Sequence, residues 1–192
     1  LDFALANAAI TYFGVRGERG WERAHDVRSV MTLAPNVALF ITPAGSGVET
    51  IADLVGERVV IGPAGAGFNF FVEPILQAHG VAWDDLEVLN DTQAGAVGLL
   101  SDRAAAAAFL GGAVPTASIT QAAASEEIHF VPFDPAAVDQ LVERYPFFER
   151  YTIEAGKYRG QDEPFAGMNV GSMHLITSTG ADEELVYRVT RT

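Results

Sequence analysis

Hydrophobic positions in this chain gather in short apolar runs, and between the runs they recur at roughly helical spacing. The alternation is most regular from position 59 to 145. Runs at 59–61, 86–89, 104–110 and 128–131 read as strands, and 68–79, 92–100, 114–124 and 135–145 read as helices. The punctuation agrees. Gly80 stops the first of these helices, Pro135 opens the last, and that one ends before Pro146. Such alternation predicts an α/β fold, a mainly parallel sheet sandwiched by helices.

Upstream, 1–5 reads as a buried strand, 8–15 as a helix, and 27–33 and 37–42 as strands. Thr50 caps a short helix with Asp53 in the capping-box slot, and Gly56 ends it. After Pro146 the pattern changes. Segments 150–154 and 170–178 read as extended, 156–167 as a long glycine-rich loop, and 182–190 as a final helix. The apolar runs at 37–42 and 174–178 enter and leave the alternating region. They predict two lobes: 43–174, and an incomplete one from 1–42 and 175–192. Hinge crossings near 40 and 175 join them, the layout of a protein that closes on a ligand.

Two glycine-rich turns each follow a strand and open a helix. The first spans 62–69 and the second 111–116. The first turn of a helix leaves its N–H groups unpaired, and the helix dipole favours an anion there. Open α/β sheets bind ligands at the edge where such turns gather. The candidate contacts are therefore Ala66, Gly67, Phe68 and Asn69 on one turn, and Gly111, Gly112, Ala113 and Pro115 on the other. Asn7, between the first strand and its helix, reads either as a helix cap or as a ligand contact from the opposite lobe. The first turn lacks the third glycine of a dinucleotide fingerprint and the Lys-Ser/Thr of a P-loop. Asn90-Asp91-Thr92 matches a glycosylation sequon and reads as the cap of the following helix.

Composition narrows the picture. A chain of 192 residues that is 49% hydrophobic can build a proper core. A net charge of −13 argues against nucleic acid and anionic lipid as partners. Without cysteine there is no disulfide framework, thiolate metal site or Cys nucleophile. His25, His79, His129 and His174 are scattered, so neither a metal nor another cofactor is expected. No apolar run approaches the ~20 residues of a membrane span.

The order of motifs resembles the TAXI family of TRAP-transporter solute receptors. The matching pieces are Leu1-Asp2-Phe3-Ala4-Leu5-Ala6-Asn7-Ala8-Ala9, Ile51-Ala52-Asp53-Leu54-Val55-Gly56-Glu57-Arg58-Val59 and the two glycine turns, then Tyr145-Pro146-Phe147 and Ala155-Gly156-Lys157-Tyr158-Arg159-Gly160-Gln161-Asp162. The resemblance implies a periplasmic-binding-protein-like fold of type II. It also implies a non-catalytic periplasmic receptor for a small anionic solute such as glutamate, glutamine, a dicarboxylate or a keto acid, handed to a TRAP membrane permease. Family members carry Gly-Ser-Gly-Thr-Glu where this chain has Gly65-Ala66-Gly67-Phe68-Asn69, so two hydroxyls are missing. Two other readings stay open. A dehydratase-like enzyme on the same fold needs a positioned acid or base, and no carboxylate or histidine falls beside the glycine turns. A cytosolic effector-binding domain of a regulator shares the architecture.

Overall fold

The computed structural model describes residues 2–191. Two sheets organise the chain. The smaller joins β1 (Ala4–Asn7), β10 (Met173–Ser178) and β2 (Val27–Ala34), in that order and antiparallel throughout. The larger has seven strands, in the order β5 (Glu87–Leu89), β4 (Arg58–Ile61), β6 (Ala107–Gly112), β3 (Val37–Pro43), β9 (Phe165–Asn169) and β8 (Glu149–Ile153), with β7 (Ile128–Val131) also paired to β3. Strands β4, β5, β6, β7 and β9 run one way, while β3 and β8 run the other. The expected α/β class, with a mainly parallel sheet between helices, holds.

The core lies where the apolar runs cross the larger sheet. All seven residues of β3 are buried, as a central strand covered on both faces requires. Helices α2 (Asn69–Ala78) and α5 (Pro135–Arg144) pack together, as do α3 (Gln93–Ser101) and α4 (Ala117–Ser125), which lie against β6. The short helix at Ile51–Leu54 is a 3-10 turn. Asp53 Oδ2 accepts the Thr50 hydroxyl (2.8 Å) and the N–H groups of Thr50 (2.8 Å) and Glu49 (3.1 Å), and these bonds hold its carboxyl below the usual range. Helix α1 (Ala8–Gly14) follows β1, and α6 (Glu183–Thr190) begins at an Asp182 cap.

Two expectations need correction. The first strand is not buried: Leu5 is 65% exposed, and Leu1 lies outside the described residues. Part of the loop expected over 156–167 is strand. β9 starts at Phe165 and pairs with both β8 and β3. Its Phe-Ala-Gly-Met-Asn sequence carries a weak local strand signal, and it is fixed by long-range pairing instead. β3 lies wholly in the larger sheet and β10 wholly in the smaller, so the crossings fall at 35–36 and 170–172.

The two crossings are clasped to each other. Val170 N–H donates to Asn36 O (2.9 Å), and Asn36 N–H donates to Asn169 Oδ1 (3.0 Å). Asn169 Nδ2 donates in turn to Ser172 Oγ (2.8 Å) and Glu149 Oε2 (3.1 Å). Farther out, an aromatic seam joins the small sheet's helix to the large sheet's layer. Phe13 stacks on Phe70 at 5.8 Å, Trp21 on Phe70 at 6.2 Å, and Tyr12 meets Phe147 edge-on at 5.2 Å. Arg19 adds an ion pair to Glu73 at 2.9 Å. Aromatic pairs in these geometries contribute about 0.5–1.5 kcal/mol each beyond the area they bury.

Candidate functional site

Strands β4 and β6 are parallel neighbours, with Ile61 opposite Phe109. The two glycine turns therefore leave the sheet side by side at the same edge. Each opens a helix that lacks a side-chain cap. The N-cap of α2 is Phe68, which carries no capping group. The N-cap of α4 is Thr116, whose hydroxyl turns back to Ala113 O at 3.3 Å. The dipoles of two helices thus point to one edge, although in the first turn Ala66 N–H already donates to Pro63 O (3.1 Å), Phe70 N–H to Gly67 O (3.2 Å) and Phe71 N–H to Phe68 O (3.2 Å).

Within the first turn, Ala66 and Asn69 are exposed, while Gly67 and Phe68 are half-buried. Gly67 has to be glycine. It sits at φ +78, and a Cβ there would lie 2.7 Å from Cδ1 of Ile10 on α1. The small sheet's helix therefore touches the first turn directly. The Phe68 ring folds back over its own turn, so that a Cβ on Gly62 would meet ring atoms at 2.5 Å, and it packs against Phe71 with centroids 5.3 Å apart.

Several polar groups of the second turn are already engaged. Gly111 N–H donates to Gln93 Oε1 (3.1 Å), and Gln93 Nε2 donates to Gly111 O (2.9 Å). Thr116 N–H donates to the buried hydroxyl of Tyr158 (2.9 Å). A cleft of about 440 Å³ opens beside this turn, lined by Gln93, Gly112, Ala113, Thr116, Ser118 and Gln121 among others. Gly111 also reaches it; Pro115 is exposed nearby, and the first turn does not line it. No lining side chain is ionisable. What the cleft offers is amide and hydroxyl hydrogen bonding.

Asn7 takes the capping role. Its Oδ1 accepts Ala9 N–H at 2.8 Å, and its Nδ2 donates to Gly171 O at 2.6 Å, which ties α1 to the second crossing. Gln93, Asn90 and Tyr158 are the functional neighbours that local patterns do not single out as partners of the turns. Asn90 Nδ2 donates to the carbonyls of Ile61 and Gly62, both at 3.1 Å. Only the presence of amide side chains at the start of a helix next to a glycine turn hints at this. Thr92 does cap α3, accepting Gly95 N–H at 3.0 Å.

His174 is the described histidine with a shifted titration. It lies buried on β10, with Nε2 2.8 Å from Thr11 Oγ1 and Nδ1 3.4 Å from Ser29 Oγ. Burial holds its pKa below the usual value.

Known structures share this fold at low sequence identity. A periplasmic transporter is 11% identical with a TM-score of 0.59, and the match covers 98% of this chain and 61% of that one. A binding-protein component of a phosphonate ABC transporter from Pseudomonas aeruginosa is 12% identical with a TM-score of 0.54, and the match covers 100% and 55%. A protein of Archaeoglobus fulgidus is 12% identical with a TM-score of 0.53, again covering 100% and 55%. The chain thus spans little more than half the length of these structures. Among the described residues, no helix is long and apolar enough to cross a membrane. The sequence profile of the NMT1-like family matches residues 1–192, from end to end, and the chain belongs to that family.

Proposed function

We propose that this chain is the solute-binding part of a transport system and carries out no chemistry of its own. One observation carries the reading: two uncapped helix N-termini, α2 and α4, follow adjacent parallel strands and open on one sheet edge. Such an edge holds a polar or anionic group by backbone donors alone. Helix α1 of the small sheet meets the first turn at Gly67, so the solute lies between the two sheets, against Ala66, Gly67, Phe68 and Asn69 and against Gly111, Gly112, Ala113 and Pro115. Asn7 shapes this wall from the other side through its cap on α1. The lobes follow the sheets, with the crossings at 35–36 and 170–172 as the hinge. The cleft beside the second turn offers no ionisable side chain for acid or base work.

The solute we propose is a small carboxylate such as glutamate, glutamine, a dicarboxylate or a keto acid. Its receptor acts in the periplasm and delivers it to a TRAP-type permease. The TAXI resemblance supports this choice, and the phosphonate carrier among the similar folds adds phosphonates to the compounds worth testing. Closure of the lobes creates the surface that the permease reads. Titration calorimetry with glutamate, glutamine, succinate, 2-oxoglutarate and methylphosphonate tests the reading. Saturable heat from at least one carboxylate is expected. Heat from methylphosphonate alone would overturn the choice of solute, and no heat from any of the five would sink the receptor reading.

A further inference from the structure

Segment 90–93 joins β5 to α3 and reads in the sequence as a sequon and a helix cap. In the fold it lies between the two glycine turns and holds both. β4 ends at Ile61, which is still opposite Phe109 of β6 but has no partner on β5. The Asn90 carboxamide takes the carbonyls of Ile61 and Gly62, both at 3.1 Å. β6 continues to Gly112, and past Phe109 it has no β4 partner. There the Gln93 carboxamide pairs with Gly111 through both N–H and C=O, as a peptide of a neighbouring strand would. The Ser118 hydroxyl donates to the same Gln93 oxygen at 2.8 Å, which adds the first turn of α4.

The segment is itself firmly anchored. Asp91 Oδ1 accepts Thr92 N–H at 2.6 Å, and Thr92 caps α3. Gly95 makes room for this. A Cβ at that position would lie 2.3 Å from the Asp91 carboxylate. On the far side, Gly111 is pressed against β3, where a Cβ would meet that of Ala38 at 2.5 Å. Gly111 is therefore gripped between Ala38 and Gln93.

We propose that 90–93 is a brace that fixes the two turns against each other, and that Asn90 and Gln93 thereby set the length of solute held between those turns. The proposal rests on the receptor reading above. Asn90 is a positioning residue, because it acts through the backbone of its turn, whereas Gln93 holds its turn and also lines the cleft. The same bonds leave the Asn90 nitrogen engaged in the fold rather than presented for glycosylation.

The test uses two near-isosteric variants of the full chain, Asn90→Asp and Gln93→Glu. Each removes the amide donor to one turn and leaves the other turn alone. Hydrogen exchange read by mass spectrometry should speed up over 110–118 in Q93E by about fivefold, the factor that loss of one hydrogen bond of ordinary strength gives, and over 62–68 in N90D by at least as much, since Asn90 donates two. Each variant is the other's control. Faster exchange spread over the whole chain, or unchanged exchange at the cognate turn, overturns the brace. Calorimetry with malonate, succinate and glutarate reads the second half. Wild type should show a preferred length, and N90D, whose position is off the cleft lining, should flatten that preference at least threefold. A variant with faster exchange at its turn and an unaltered length preference refutes the specificity role. If wild type gives no heat with any solute, the receptor reading fails, and exchange alone judges the brace.

Discussion

Replacing Asn169 by leucine tests whether the two crossings are held by one side chain. Asn169 is 2% exposed, and its amide makes three hydrogen bonds, to Asn36 N–H, Ser172 Oγ and Glu149 Oε2. Leucine fills nearly the same space and makes none of them. Neutral bonds count about 1 kcal/mol each and a bond to a carboxylate about 1.5–3 kcal/mol, so an upper bound is about 3–5 kcal/mol. Glu149 is exposed, and water replaces its lost donor. The half-buried Asn36 N–H has no such replacement on β9. The expected net loss is therefore about 2–3 kcal/mol, a large share of the roughly 5–15 kcal/mol that keeps a domain folded. Urea unfolding followed by circular dichroism reads this as a lower midpoint. A loss under about 0.5 kcal/mol, the range of an ordinary surface change, would refute the clasp. Asn169→Asp sharpens the test. It keeps the acceptor for Asn36 but sets a second carboxylate beside Glu149, so it should be least stable at neutral pH and recover towards acid, where the protonated group donates again.

Other outcomes follow from the same geometry. Gly111→Ala drives a Cβ to within 2.5 Å of Ala38 Cβ and 2.8 Å of its Cα, so it should cost about 1–3 kcal/mol in thermal unfolding. Gly98→Ala on α3 meets no atom within 4 Å and should instead stabilise by about 0.4–1 kcal/mol, measured in the same way. Tyr158→Phe keeps the ring and takes away the acceptor of Thr116 N–H, for an expected loss of about 1–2 kcal/mol in urea unfolding. His174 binds its proton less readily folded than unfolded, so its contribution is complete above the unfolded value of about 6.5 and is lost as pH falls through the lower folded value. Urea midpoints from pH 7.5 down to 5 should show this fall, and His174→Gln should make it shallower. An equal slope in the variant would assign the acid sensitivity to other groups.

Much of the architecture is legible along the chain because it is local. The Asn90-Asp91-Thr92 run reads as a helix cap, and Thr92 does accept a first-turn N–H; Pro135 marks the start of α5, where the fold adds an Asp134 cap. The largely apolar 37–42 run marks a strand, and the fold buries all of it. The two glycine turns are visible as glycines, and their adjacency follows once β4 and β6 are parallel neighbours. These features depend on residues within a few positions of one another, where periodicity, capping and turn preference act.

What the chain alone does not reveal depends on which distant segments meet. Phe165–Asn169 is a strand because β3 and β8 pair with it, not because its residues favour extension. Leu5 looks like core until the small sheet leaves it 65% exposed. Asn90 and Gln93 look like the start of one helix, and only the packing of α3 beside β4 and β6 turns their amides into partners for two turns. The crossings are set by Asn36 and Asn169, which are 133 positions apart. A side-chain amide bonds equally well to any backbone group within reach. Residue type therefore tells that a bond can form, and tertiary structure alone decides with whom.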